Sequence, residues 1–315
     1  MTNNKLPKVS ILIPSYNHAA FVEKAIRSVW EQNYNNLELV IVDDGSTDNS
    51  REIIAGLAII SPIKMIFIEQ KNAGICATLN RALNKSTGAI VGLLASDDIM
   101  LPNRLNAEVK FFEMKSQLKV LYSNGHFLKL NGDISGDLHG HLKPSIKYGI
   151  SGILNHMLTH VEGFYTQSML IKRDFLLDIG AFDESTGSDD WSLNIRIFKS
   201  INIEDEYIFI DRAAFLYRVH QTQSHRNYVF LRPIQRKVIR KYWTLNSRSK
   251  FISQAYVKRA FHLFLQKRFK HGVRYINKAC LIGFSEGVPV KCILRFGFEF
   301  PGYVYRELKR QLKLK

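Results

Sequence analysis

Cysteine and long hydrophobic runs are both scarce in this chain. Only three of its 315 residues are cysteines, and their number and spacing fit neither a disulfide framework nor a zinc site. No apolar stretch approaches the roughly 20 residues that a transmembrane helix needs. The first residues lead directly into a predicted strand, without the apolar segment of a secretion signal. These absences favour a protein of the reducing cytosol.

Acidic residues are scarce in the C-terminal part of the chain. Residues 1–228 contain 23 Lys and Arg and 25 Asp and Glu, whereas residues 229–315 contain 21 Lys and Arg and only three acidic residues. The formal charge is therefore −2 in the first part and +18 in the second. This break predicts a domain boundary between residues 228 and 229, followed by a basic helical region. We expect that region to dock on an anionic membrane surface.

Apolar runs and amphipathic segments alternate through the first part, which predicts an α/β fold with a mostly parallel sheet. Strands are predicted at residues 9–14, 37–42, 64–69, 89–95, 119–122, 168–171, 207–210 and 215–218. Helices are predicted at residues 18–32, after 48–50, from 74 to 84, after 102, from 173 and at 191–199. Residues 130–165 are predicted to form long loops around an acceptor site. The histidines of this stretch are predicted to be loop or surface residues; they are His139, His141, His156 and His160.

Acidic pairs follow two of the predicted strands. Asp43 and Asp44 come directly after the second strand, and Asp97 and Asp98 come after the fourth. The carboxyl ends of parallel strands meet at one edge of a sheet, where ligands bind. Carboxylates gathered there repel one another unless a cation lies between them, and a divalent cation commonly bridges substrate phosphates. The pattern therefore predicts a site for a metal–diphosphate compound.

Each acidic pair also has a structural explanation. Residues 43–46 could form a turn before a helix that Asp48 caps, and Asp98 could cap the helix that follows it. A third pair, Asp189 and Asp190, precedes a predicted helix, where negative charge is favourable. A capping role and a catalytic role are compatible with each other.

Seven segments, in their order and spacing, resemble glycosyltransferase family 2. They are VSILIPSYN (9–17), VDDGSTD (42–48), NAG (72–74), ASDD (95–98), GAFDE (180–184), DDW (189–191) and YRVH (217–220). The resemblance spans roughly residues 8–222 and does not reach the basic C-terminal region. It implies the GT-A fold, a Rossmann-like, mostly parallel central sheet flanked by helices.

The resemblance also implies a reaction and its residues. The expected enzyme is inverting, moves a sugar from a nucleotide-diphosphate donor, a UDP-sugar, to an acceptor hydroxyl, and uses Mn²⁺ or Mg²⁺. The implied metal ligands are Asp97, Asp98 and His220. The implied catalytic base is Asp190, with Asp189 beside it. The implied donor-binding residues are Pro14, Ser15, Tyr16, Asn17, Asp43, Asp44, Asn72, Gly74 and Asp97.

Two positions depart from the family pattern. Ala95 stands where many relatives have an acidic residue, which leaves open whether Asp97 or Asp98 is the direct metal ligand. Asp189 stands where relatives commonly have glutamate. The resemblance further implies a role in bacterial surface polysaccharide or lipopolysaccharide synthesis, on a glycan or lipid-linked acceptor at the inner face of the cell membrane.

Two other functions are alternatives. A sugar nucleotidyltransferase would also bind nucleotide and metal on an α/β sheet, but it needs a glycine-rich loop after the first strand, and residues 14–20 contain no glycine. A nucleic-acid-binding protein could use the basic region, although no recognition motif accompanies the charge.

Overall fold

A computed structural model of the chain describes residues 6–140, 142–160, 163–202, 204–220 and 228–242, together with residue 274. The chain divides into two compact units, one of residues 1–157 and 161–238 and the other of residues 158–160 and 239–315. The first unit contains the sheet and the acidic pairs. The boundary at 228 and 229 stays a prediction.

Strands and helices alternate as predicted. The strands are β1 Val9–Ser15, β2 Leu37–Asp43, β3 Lys64–Glu69, β4 Ile90–Leu93, β5 Ile99–Met100, β6 Val120–Lys129, β7 Ile134–Ser135, β8 Met169–Lys172 and β9 Tyr207–Val219. The helices are α1 Val22–Trp30, α2 Ser50–Ile59, α3 Ile75–Lys85, α4 Arg104–Met114, α5 Lys143–Ile146, α6 Gly149–His160, α7 Arg173–Asp178, α8 Trp191–Ser200 and α9 Tyr228–Tyr242. A 3₁₀ turn, η1, spans Thr166–Ser168.

The strands form one sheet in the order β3-β2-β1-β4-β8-β6-β9-β5, with β7 paired to β6. Neighbouring pairs from β3 to β4 are parallel, and so is β6 with β9, whereas β8, β5 and β7 run antiparallel to their partners. The mostly parallel sheet is therefore confirmed. Its first four strands end at the same edge, and that edge carries the predicted donor and metal residues.

Burial explains why the central strands read as continuous apolar runs. Every residue of β2 is buried, and β1 is buried except at Pro14, because helices cover both faces of a parallel sheet. Helix α1 contributes an apolar face to the main core, in which it joins Val9, Ile11 and Ile13 of β1. Packing in this core thus fixes the direction of β1 and β2 and, with it, the position of the residues at their carboxyl ends.

Two predictions about the later part of the first unit are wrong. Residues 130–165 are not only loops, because they contain β7, α5 and the twelve-residue helix α6. Residues 207–210 and 215–218 are not separate strands, because β9 runs through both. Register shifts against β6 on both sides of Asn124 accommodate the extra residues Asp211, Arg212 and Ala214 as a bulge.

The prediction that four histidines are loop or surface residues has mixed outcomes: it is wrong for His156, whereas His139 lies in a turn, as predicted, but is not at the surface. His139 is fully buried, and its Nε2 accepts a hydrogen bond from the Tyr165 backbone N–H at 3.1 Å. His156 lies within α6 and is buried, so it is neither a loop nor a surface residue. His141 and the side chain of His160 lie outside the described residues.

Helix α9 is the described portion of the basic C-terminal region; residues 243–315 lie outside the described residues, apart from residue 274. Within the described part of the chain, no helix is both long and apolar enough to span a membrane.

Candidate active site

The ends of β1 and β2 are joined by hydrogen bonds around Asp43. This residue is fully buried, and its carboxylate accepts bonds from the Ser46 backbone N–H at 2.8 Å and the Ser46 hydroxyl at 2.6 Å. The Ser15 hydroxyl donates a third bond at 3.2 Å. Asp43 therefore holds the turn that follows β2 against the end of β1.

Asp44 ties the turn after β2 to the loop after β3. One carboxylate oxygen accepts hydrogen bonds from the Gln70 side chain and the Ala73 backbone N–H, both at 2.7 Å, and the other accepts from the Gly74 N–H at 2.9 Å. Residues 71–74, which include Asn72, are exposed. The protein itself thus uses the Asp44 carboxylate to shape the loop that carries Asn72 and Gly74.

The glycine of the turn after β2 is required by its surroundings. Gly45 has a φ of +77°, and a Cβ added to it would lie 2.9 Å from the backbone nitrogen of Asn72. Only glycine adopts this backbone conformation without strain and allows so close an approach. The motif at residues 42–48 is therefore also a packing requirement of the neighbouring loops.

The loop after β1 lies against the same turn. Asn17 has a φ of +53°, its N–H donates to the Ser46 hydroxyl at 2.9 Å, and its side-chain oxygen accepts from the Thr47 N–H at 2.7 Å. Tyr16, between Ser15 and Asn17, is 47% exposed. The loop is thus fixed by Asn17 while an aromatic ring stays accessible at the sheet edge, where a nucleobase could stack.

A cluster of two imidazoles and one carboxylate lies beyond the end of β4. The Asp97 carboxylate is 2.9 Å from His220 Nε2 and 3.8 Å from His18 Nε2. One potential ligand atom from each of the three residues lies within 4.8 Å of the others. Burial lowers the pKa of His18, and the charge of Asp97 offsets part of that effect. The neutral imidazole is the form that binds a metal, so these three residues could hold a divalent cation.

Asp98 is directed away from that cluster. Its carboxylate accepts hydrogen bonds from the Arg218 backbone N–H at 2.9 Å and from the Gln167 side chain at 2.8 Å. Burial, and then the charge of Asp97, raise the pKa of Asp98 well above its usual range. The two adjacent carboxylates therefore have different surroundings: Asp97 meets the two histidines, and Asp98 joins β9 and η1.

The third acidic pair lies at the start of α8. Asp190 is the N-cap residue, and its carboxylate accepts hydrogen bonds from the Trp191 N–H and, at 3.1 Å, from the Ser188 hydroxyl. The capping role that the sequence left open is therefore confirmed. Burial, and then the charge of Asp190, raise the pKa of Asp189 to about 7. Asp190 itself is exposed.

Tyr217 and η1 connect the cluster of His18, Asp97 and His220 with this third pair. The pKa of Tyr217 is raised by burial and then by charges that include Asp98, Asp97 and Asp190. In η1, Gln167 bonds to Asp98, and the neighbouring Thr166 hydroxyl offsets part of the rise in the pKa of Asp189. The acidic groups that are far apart in sequence thus surround a common set of side chains.

Sequence reasoning did not identify several residues of this site. His18 had no role in the resemblance, although it follows the motif at residues 9–17 directly. Gln167 and Thr166 belong to a stretch without a recognisable motif. The useful signal for His18 is its position in the loop that follows β1, since loops at that edge carry the ligand-binding residues.

Comparison with solved protein structures identifies the fold of this chain. Staphylococcus aureus TarS, residues 1–349, in complex with UDP has a TM-score of 0.54 at 18% identity, over 79% of this chain and 72% of that chain. A mannosyltransferase from Pyrobaculum calidifontis, in complex with GDP-Man and Mn²⁺, has a TM-score of 0.53 at 17% identity. The match covers 98% of this chain and 85% of that chain. The fold of this chain is the GT-A fold.

Comparison of the sequence gives the family. The model for glycosyl transferase family 2 matches residues 10–169. This chain belongs to glycosyltransferase family 2, as the seven segments predicted.

Individual relatives match over different spans. An uncharacterized glycosyltransferase of Nostoc sp. is 38% identical over 115 residues, which cover 36% of this chain and 36% of the relative. One of Rickettsia felis is 30% identical over 207 residues, which cover 65% of this chain and 34% of the relative. One of Haemophilus influenzae is 27% identical over 226 residues, which cover 70% of this chain and 78% of the relative. The chain therefore spans about a third of the length of the first two relatives.

Proposed function

We propose that this chain is an inverting glycosyltransferase that moves a sugar from a nucleotide-diphosphate donor, a UDP-sugar, to an acceptor hydroxyl. The observation that carries the proposal is the meeting, at one sheet edge, of the loops after β1, β2 and β3 with the His18, Asp97 and His220 cluster after β4. Such an edge of a parallel sheet is where nucleotides bind in doubly wound folds.

The donor would lie across these loops. Exposed Tyr16 would contact the base, beside Pro14, Ser15 and Asn17. Exposed Asn72 and the backbone at Gly74 would contact the nucleotide, while Asp43 and Asp44 hold the loops in place. Similar folds with UDP, UDP-GlcNAc and GDP-Man bound support a nucleotide-sugar ligand.

The donor set of the cluster suits a divalent cation, Mn²⁺ or Mg²⁺. Asp97 and His220 would hold it, with His18 adjacent, and Asp98 would keep Asp97 in position through the backbone. A bound cation would offset the negative charge that develops on the leaving diphosphate.

The acceptor would be activated at the start of α8. As the acceptor oxygen bonds to the anomeric carbon, the bond from that carbon to the diphosphate oxygen breaks, and the hydroxyl proton passes to a carboxylate. We assign that carboxylate to Asp190, which is exposed, with Asp189 supporting it. Attack from the face opposite the leaving group inverts the anomeric configuration.

The acceptor and the setting extend the same proposal. The acceptor would be a glycan or a lipid-linked saccharide of a bacterial surface polysaccharide or lipopolysaccharide pathway. Residues 229–315 would bring the enzyme to the inner face of the cell membrane through their charge.

A panel of nucleotide sugars tests the proposal. With Mn²⁺ present, one member should raise the thermal midpoint of the protein and release its nucleoside diphosphate. The anomeric configuration of the product, read by NMR, should be inverted; a retained configuration would contradict the mechanism.

A further inference from the structure

The ligand types in the cluster of His18, Asp97 and His220 indicate which ions the site would bind. Two of its three potential ligands are imidazole nitrogens, from His18 and His220, and one is a carboxylate oxygen, from Asp97. Mg²⁺ prefers oxygen ligands and usually keeps several waters, whereas imidazole suits first-row transition metals. The following inference rests on the proposed function and names the ion for that same site.

His18 is oriented by its neighbours before any ligand arrives. Its Nδ1 lies 2.8 Å from the hydroxyl of Ser96, which is buried, and its backbone N–H donates to the Ser50 hydroxyl at 3.0 Å. With Nδ1 occupied by Ser96, Nε2 is the ring atom that faces Asp97. A hydrogen bond to the second ring nitrogen is the usual way in which a metal-binding histidine is fixed.

His220 is fixed from the opposite side of the cluster. It directly follows β9 and is 5% exposed, and its ring lies 4.8 Å from that of Phe21 and 5.7 Å from that of His18. Phe21 also packs edge-on to His18, with 6.1 Å between ring centroids. One aromatic side chain thus packs against both imidazoles and limits the freedom of each.

The ligand atoms have separations that a single ion can use. Atoms about 2.1 Å from a common ion would be about 3.0 Å apart when adjacent and about 4.2 Å apart when opposite. The Asp97 carboxylate oxygen lies 2.9 Å from His220 Nε2 and 3.8 Å from His18 Nε2. Both separations fall in or next to that interval, and the ligand atoms of His18 and His220 lie within 4.8 Å of each other, so side-chain rotations would complete the site.

We propose that His18 is a third protein ligand and that the site is therefore selective for Mn²⁺, Co²⁺ or Zn²⁺ over Mg²⁺. Three protein ligands also allow the ion to bind before the nucleotide, because the site does not depend on phosphate oxygens for most of its contacts. The remaining coordination positions stay available to the diphosphate of the donor.

Binding of Mn²⁺ to the full chain without nucleotide tests this inference by electron paramagnetic resonance. We expect one bound Mn²⁺ per chain, with pulsed spectra that show nitrogen coupling from imidazole. A hundredfold excess of Mg²⁺ should leave most of the Mn²⁺ bound, whereas an equimolar amount of Zn²⁺ should displace it.

The variant His18→Asn measures the contribution of the third ligand. It should weaken Mn²⁺ binding at least 10-fold, reduce the nitrogen coupling and lose the discrimination against Mg²⁺, with an unchanged far-UV circular dichroism spectrum. The matched control is His126→Asn, since His126 bonds to the Gly136 carbonyl and lies outside the cluster; it should bind Mn²⁺ like the wild type.

Three results would overturn the inference: His18→Asn binding Mn²⁺ like the wild type, Mg²⁺ displacing Mn²⁺ at similar concentration, or no Mn²⁺ binding without nucleotide. Each of these could occur in an active transferase. Conversely, selective Mn²⁺ binding without turnover of any nucleotide sugar would reject the proposed function and leave this inference intact.

Discussion

At the scale of single residues, the adjacent carboxylates of Asp97 and Asp98 contact different partners. Asp97 faces two histidines, while Asp98 accepts hydrogen bonds from Arg218 and Gln167. The backbone carbonyl of Asp97 also accepts a bond from Arg218 Nε at 2.8 Å. Arg218 thereby connects both residues to β9, so that the orientation of Asp97 toward the two histidines depends on a strand more than 100 residues away in sequence.

The first residue-scale prediction concerns the proposed base. Asp190→Asn should lower turnover by about 100-fold or more and change donor affinity little, because asparagine cannot accept the proton of the acceptor. Asparagine is also a good N-cap residue, so α8 should keep its stability. Steady-state kinetics together with thermal melts check both statements. Wild-type turnover in this variant would show that Asp190 is not the base.

The second prediction concerns how ionisation of Asp189, a buried group next to the charge of Asp190, affects the stability of the protein. The pKa of Asp189 is raised from its usual 3.8 to about 7, so its contribution to stability is highest below pH 4 and falls as the pH rises to about 7. Asp189→Asn should therefore stabilise the protein at pH 8, by up to about 4 kcal/mol, and have little effect at pH 4. Urea unfolding at the two pH values measures this difference. An equal effect at both would show that the charge of Asp189 is not the cause.

At the scale of elements, η1 is the short turn on which the acidic groups converge. The Gln167 carbonyl accepts a bond from Nη1 of Arg104 at 2.7 Å, and Arg104, fully buried, pairs through Nε with Glu108 at 2.9 Å. A buried ion pair on α4 therefore supports the turn that bonds to Asp98. Breaking such a network leaves buried polar groups without partners.

Replacement of Gln167 tests the role of the turn. Gln167→Leu removes the donor to the buried Asp98 carboxylate and should reduce the free energy of unfolding by about 1–3 kcal/mol. Gln117→Leu, at an exposed position, should change it by less than about 0.5 kcal/mol. Chemical denaturation of both variants gives the comparison. Equal stability of the two would show that the Gln167 bond to Asp98 contributes nothing measurable.

The central strands and helices were predictable because burial leaves a clear pattern in sequence. The strands β1, β2 and β3 were predicted to within one residue, since each is a short apolar run with a turn signal at its end. In β9 the polar residues Asp211 and Arg212 interrupt that pattern, and a bulge looks like a turn in the sequence. In α6 the glycine, serine and histidine residues conceal a helix that tertiary packing stabilises.

The candidate site was predictable only as far as its motifs extend. Asp97, His220 and the acidic pair of α8 were found because each lies in a segment that resembles the family. The orientation of Asp98 was not predictable, because nothing in its own segment indicates the bonds from Arg218 and Gln167. His18 was not predicted because it lies close to His220 only where the end of β9 meets the loop after β1. That contact is a long-range property of the fold.

At the scale of the whole molecule, charge is segregated along the chain. Residues 229–315 have an excess of 18 positive charges, whereas residues 1–228 have a formal charge of only −2. Basic residues near anionic lipid contribute about 1 kcal/mol each within a Debye length, so a few of them facing a bilayer would be sufficient for docking. Segregation of this kind would deliver a donor site to a lipid-linked acceptor.

Vesicle co-sedimentation tests this docking. The full chain should bind vesicles that contain phosphatidylglycerol, more weakly as salt increases, and should not bind neutral vesicles. A variant truncated after Tyr242 should lose most of that binding. If the truncated variant binds anionic vesicles as well as the full chain does, the basic region is not the docking element; preference for RNA over vesicles would favour a nucleic-acid partner.

The central claim is that the sheet edge binds a metal and a nucleotide sugar and transfers the sugar. The most direct measurement is nucleoside diphosphate release from the best donor of the panel, with Mn²⁺ or with excess EDTA, for the wild type and for Asp97→Asn. We expect release only from the wild type with Mn²⁺, because the variant lacks the carboxylate that the two histidines share. Undiminished release in EDTA, or pyrophosphate release from a nucleoside triphosphate instead, would contradict the account.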